Sequence, residues 1–425
     1  MKKLLTTIFL TISIIAGAEP ADDLLSAVKG GDPAAVKEAV EKGAPLTIKD
    51  DRGMTPLYIS AVRGDIAIAE YLVSKNADVN VRDDNGSPMI NEVIYNGDLS
   101  MLSLLVSGGG RLNQKNTRYG DTPLHIAASR GDCAIAEYLI EKKIDLNVKN
   151  SSVETPLHLA VKGKHYSVVS LLLRNKAVLN QKNDDGDTPL HLAAAAGDPA
   201  HVKLLISGGS DLKIKNRKNE TPLHIAVKNR MLCSASALIE NKSDISMKDG
   251  AGNTPLHLAA SAQDLPLLEL LLEAGAGINA VNDDKESALH IAAKNRDIAA
   301  VRYLVEKGAE LNAKNRYGRT PLFTAAYHYK HVPVVMYLAE KGADINMADE
   351  NGNTPMHEAA SMANLSAVIY LLDKGADYTI KNNSGETVVD VANSKIKDYL
   401  EELIEKRKPV SPPEPDAPVE PEPGE

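Results

Sequence analysis

Seven of the eleven histidines stand in one register. His125, His158, His191, His224, His257 and His290 follow one another at 33-residue steps, and His357 falls in the same slot two units later. A row of imidazoles suggests a metal site, since neutral imidazole is a common ligand. A shared ion needs nitrogens within about 2.1 Å of the metal, whereas neighbouring packed helices stand about 10 Å apart. The row therefore reads as structural. His357-Glu358 begins like a zinc-protease helix but lacks the second His. Ser107-Gly108-Gly109-Gly110-Arg111 lacks the GK[ST] ending of a phosphate loop and reads as a helix C-cap. Asn183-Asp184-Asp185-Gly186-Asp187 is only in part a calcium loop: Gln181 fills the first ligand slot, and the stretch reads as a polar turn. No G-x-S-x-G elbow occurs. Once the repeated slots are set aside, no acid, base and nucleophile are left together. The residues thus imply no enzyme, no cofactor and no metal.

The elements that carry these histidines repeat. Thr122-Pro123-Leu124-His125 recurs from Thr155, Thr188, Thr221 and Thr254, with degenerate copies at Ser287, Thr320 and Thr354. Upstream stand Thr55-Pro56-Leu57-Tyr58 and a worn Pro88-Met89-Ile90-Asn91, while Asp22 and Thr387 occupy the same slot at the two ends. That makes twelve units starting near 22, 55, 88, 122, 155, 188, 221, 254, 287, 320, 354 and 387, with 34-residue steps after 88 and 320. The Thr caps a helix and Pro opens it, where its missing N–H does no harm. Leu157, Ala160 and Val161 make an apolar stripe at helical spacing. A second helix follows, ended by glycine in seven units and by Asn76, Lys143, Lys176 or Lys242 in four. Lysine adopts the left-handed conformation of that slot at a cost of about 1 kcal/mol. The stretch between units 122 and 254 is therefore expected to be softer. One 33-residue unit cannot bury both its faces, so stability must come from stacking on neighbours.

The T-P-L-H-x-A signature at this period resembles the ankyrin repeat family, and the match runs from residue 22 to about 408. The resemblance implies an all-α fold, a solenoid of about twelve helix–turn–helix units with β-hairpin fingers. It also implies that the motif His bonds the motif Thr and neighbouring backbone. The terminal units read as caps, with charged residues such as Lys37, Glu38, Glu41 and Lys42 turned to water.

Residues 1–18 read as a signal peptide: Lys2 and Lys3, an uncharged apolar run from Leu4 to Ile15, then Ala16-Gly17-Ala18. The run is shorter than the roughly 20 residues of a spanning helix. The chain is expected to be exported, periplasmic or secreted, and monomeric, with no integral membrane segment after cleavage. Residues 409–425 hold seven prolines, four Glu and one Asp without a base, and read as a disordered solubilising tail. The net charge of −9 argues against a nucleic-acid surface. Cys133 and Cys233 lie three units apart, about 30 Å, too far for a disulfide. They read as buried small residues.

Family resemblance assigns binding of a protein partner to the concave face, built from fingertips and first-helix ends. Exposed Tyr and Arg are enriched at such hot spots. Two clusters carry them: Arg118, Tyr119 and Arg130, and Arg316, Tyr317, Tyr327, His328, Tyr329 and His331. A structural component of the cell envelope, or an enzyme with a site spread across repeats, are the alternative readings.

Overall fold

The computed structural model describes residues 20–327 and 332–407. The expected leader, the acidic tail, and His328, Tyr329 and His331 lie outside the described residues. Within them are 23 α-helices in two compact units, Met1–Gly250 and Ala251–Glu425. Each unit is a row of antiparallel helix pairs in which every pair packs on the next.

Helices Pro189–Ala195 and Pro199–Ser207 show how a pair is built. Thr188 is the extended N-cap residue and Pro189 takes the first helical position. His191 at the third position accepts the Thr188 N–H on Nδ1 at 3.2 Å, and the Thr188 hydroxyl lies 2.8 Å from the same nitrogen. An Nδ1 that accepts a backbone N–H carries no proton, so Nε2–H is the donor. It reaches the Glu220 carbonyl of the next repeat at 3.1 Å. The same bond runs from His125 to Glu154, His158 to Asp187, His257 to Glu286, His290 to Arg319 and His357 to Glu386, at 2.9–3.3 Å. These six histidines therefore tie one repeat to its neighbour, with both ring nitrogens of each engaged.

The loops between pairs are tight turns held by one side chain. Asn183 Oδ1 accepts the N–H groups of Asp185 and Asp187 at 3.0 and 2.9 Å, which is what makes this stretch a polar turn. The Arg217 N–H then donates to the Asp185 carbonyl of the preceding fingertip at 3.0 Å. Because the Asn and Asp side chains take the backbone donors, no regular strand forms among the described residues. The fingers reach β geometry in one bridge, Arg82–Pro88.

Departures from the motif have visible effects. Asn91 replaces the histidine and reaches the Asp121 carbonyl only at 3.5 Å, leaving its buried Oδ1 without a partner. Asp390 replaces it in the last repeat and accepts both the N–H and the hydroxyl of Thr387, at 2.8 and 2.7 Å. At the other end, helix Pro20–Gly30 already contains Asp22 in its first turn, so Asp22 does not cap it. The cysteines correct another expectation. Cys133 is half-buried and Cys233 exposed, both free, because the first turn of the second helix faces water and burial starts at Ile135 and Ser234.

Asn76, Lys143, Lys176 and Lys242 all adopt the left-handed conformation, with φ between 59° and 65°. At the matching Gly43, Gly109 and Gly209 an added Cβ would meet nothing within 4 Å. The cost at the lysines is thus backbone strain alone. Lys143→Gly, Lys176→Gly and Lys242→Gly should each stabilise by up to about 1 kcal/mol, reduced by the extra freedom of an unfolded glycine. Equilibrium urea unfolding of the single variants checks this; three variants no more stable than the parent would refute it.

Candidate functional site: an aromatic and cationic groove

A recurring ion pair marks the face made by fingers and first-helix ends. The acid before the motif Thr meets the lysine eight residues on: Glu154 with Lys162 at 3.1 Å, Glu220 with Lys228 at 2.6 Å, Glu286 with Lys294 at 3.8 Å. At the next repeat both slots change. Arg319 stands in the acid slot and Tyr327 in the lysine slot, while Phe323 takes the place of the motif His. Charge pairing is thereby exchanged for aromatic contact.

The Arg319 guanidinium lies 4.9 Å from the Phe323 ring centre and 5.9 Å from that of Tyr317. This suits a flat, weakly hydrated cation. Its Nε donates to Asp349 at 3.4 Å. The backbone under Tyr317 is held by buried Asn315, whose Oδ1 accepts the N–H groups of Tyr317 and Arg319 at 2.9 and 3.1 Å. Burial, and to a lesser degree Asp349, raise the Glu358 carboxyl above its ordinary range, while Arg319 opposes them.

These side chains open onto a groove of about 660 Å³ in the second unit, shared with Gln263, Glu286, Lys294 and Arg296. Gln263 Nε2 bonds the Asn295 carbonyl at 3.0 Å and ties two walls together. Tyr317 is 54% and Tyr327 47% exposed. Of the charged groups lining the groove, three are cations and one, Glu286, is an anion already facing Lys294.

The structure brings together Tyr317 and Tyr327 of the expected second cluster. Arg316 is drawn elsewhere, to Asp284 of the preceding finger at 2.6 Å. In the first cluster the Arg118 guanidinium sits 4.9 Å from the Tyr119 ring centre, in the finger lengthened by one residue. The Arg130 side chain is exposed at the end of helix Pro123–Arg130, at a left-handed Gly131 cap. Arg319, Phe323 and Arg296 escaped the sequence reading. The signal for the first two was present, since each breaks a slot that is acidic or histidine in the neighbouring repeats.

Comparison with known proteins agrees with the repeat register. The family described as ankyrin repeats in three copies matches residues 17–83, 89–183, 157–249, 223–315 and 308–382, and that of many copies matches 61–106. A search of curated proteins finds no match. Among solved structures, the chain is 32% identical to the ankyrin repeat domain of Bcl-3, described as a unique member of the IkappaB protein family. That match covers 51% of this chain and 99% of the other, with a TM-score of 0.47. The human ASB11 ankyrin repeat domain is 28% identical over 51% of this chain and 97% of its own, also at 0.47. With its period, its histidine ties and family matches along most of its length, the chain belongs to the ankyrin repeat family, whose repeats generally mediate protein–protein interaction.

Proposed function

We propose that the protein is a non-enzymatic, exported and monomeric scaffold that binds a protein partner on the concave face, through the groove at Tyr317, Arg319 and Tyr327. The carrying observation is that groove. Nothing in repeat packing requires aromatic residues at its rim, because most matching slots elsewhere are not aromatic: Ser152, Asp185 and Lys218 stand where Tyr317 does, and Ser129, Lys162 and Lys228 where Tyr327 does, with Tyr119 and Tyr95 the exceptions. Exposed tyrosines beside a stacked arginine offer flat apolar area with polar tips, the composition of a binding hot spot. Tyr317→Ala or Tyr327→Ala should each weaken partner binding by about 2 kcal/mol with little change in folding stability. The test is titration calorimetry with a partner captured from the exported fraction. The triple variant including Tyr329→Ala is the stringent case: unchanged affinity rejects this groove and directs the search to Arg118, Tyr119 and Arg130.

Export rests on residues 1–18, with their two lysines, apolar run and Ala16-Gly17-Ala18 ending. No helix among the described residues is long and apolar enough to cross a membrane. Purified exported protein should begin Glu19-Pro20-Ala21 on N-terminal sequencing. A terminus at Met1 would reject cleavage.

A further inference from the structure

We propose that the groove beside Arg319 is occupied by the protein's own segment 409–425, docked as a polyproline II helix. The proposal rests on the reading of that groove as a binding site and names its resident ligand. The segment carries a period that composition alone does not show. Pro412, Pro415, Pro418 and Pro421 recur at every third residue, in register with Pro409 at the start of the segment. A polyproline II helix has three residues per turn, so these rings would form one continuous edge. Asp416, Glu422 and Glu425 share a second edge, and Glu414 and Glu420 a third. The result is an apolar proline ridge flanked by carboxylates.

The groove has the matching chemistry. Tyr317 and Tyr327 supply exposed flat faces of the kind on which proline rings pack in aromatic-lined grooves. Lys294, Arg296 and Arg319 supply positive charge at its walls, against the single carboxylate of Glu286. In a chain of net charge −9 such a local excess of cations is unusual, and it is opposite in sign to a segment of net charge −5. Asp349 engages only the Nε of Arg319. The segment also reaches. It follows Arg407, which is anchored to Asp373, two repeats beyond the groove, or about 20 Å along the stack. Seventeen extended residues span roughly 50 Å. Being tethered, the segment would face the groove at millimolar effective concentration.

The test uses full-length chains and a fluorescent synthetic peptide of residues 409–425, followed by anisotropy at low salt. A chain with Pro412, Pro415, Pro418 and Pro421 all changed to Ser should bind the peptide at least ten-fold more tightly than the native chain, whose groove is already filled. A chain with the off-register Pro413 and Pro423 changed to Ser should behave as the native chain does. Adding Arg319→Glu to the four-serine chain should abolish binding. Should that variant misfold, a peptide with its five acids amidated tests the same contact, and should bind at least ten-fold more weakly. No peptide binding to the four-serine chain, or equal binding to it and the native chain, overturns the proposal. A partner protein whose affinity depends on Tyr317 and Tyr327 while the peptide binds neither chain would overturn the proposal and leave the scaffold reading standing.

Discussion

Acidification from pH 7 to pH 4 is expected to destabilise the protein by several kcal/mol, through its histidines before its carboxylates. His290 is wholly buried, and burial pushes its pKa down to about 4 from an ordinary 6.5. Burial likewise lowers His125, His158, His191 and His357. Geometry gives the reason. Nδ1 already accepts the motif N–H and Nε2–H already donates to the next repeat, so a second proton would set a donor against a donor. Between pH 6.5 and 4 the unfolded chain takes up protons that the folded chain refuses. Stability is therefore complete above the unfolded pKa and falls as pH drops through this window. His290 alone accounts for about 3 kcal/mol of that loss, at 1.36 kcal/mol per pKa unit. Urea unfolding at pH 7, 5.5 and 4 measures it. His290→Gln should flatten the slope by up to one proton. A stability that stays level between pH 6.5 and 4.5, then falls only as the carboxylates protonate, would contradict the assigned tautomer and its burial.

Leu190→Ala is expected to cost about 3 kcal/mol, within the 2–5 kcal/mol span of buried leucine truncations. Leu190 is fully buried at the start of helix Pro189–Ala195. Leu192, two residues along, is half-buried, and its truncation should cost about 1 kcal/mol from lost apolar area. Since each repeat is held only by its neighbours, a cavity at Leu190 weakens two interfaces at once. The unfolding transition should then broaden around units 155 to 221. Equal losses at the two leucines would show that the helix face is not the one seen here.

The pattern of these effects follows from how a repeat encodes structure. The histidine ties that hold the stack join slots at a constant offset. His191 to Glu220 spans the same 29 residues as His290 to Arg319. A periodic sequence writes such nearest-neighbour contacts directly, because one register places both partners. The helix pairs, the Thr–Pro starts and the lysines at glycine slots were legible for that reason, while the histidine's bond to the motif Thr came with the family resemblance. The first three depend on backbone conformation and on spacing, both local quantities.

The groove depended on something else. Arg319 could have remained a solvated charge, and Arg316 could have joined the tyrosines. Which arginine meets the rings is settled by side-chain direction across the gap between repeats: Asp284 on the preceding finger takes Arg316, while Phe323, lacking the histidine's nitrogens, offers Arg319 a face. The cysteines turned outward for a comparable reason, since their place in the first turn of the second helix sets their exposure and residue type does not. The sequence alone thus determined the repeating unit and its ties, which act between fixed positions along the chain. The tertiary structure alone decided the groove, because that groove is made where the repeats differ, and a non-repeating side chain finds its partner only once its neighbours are in place.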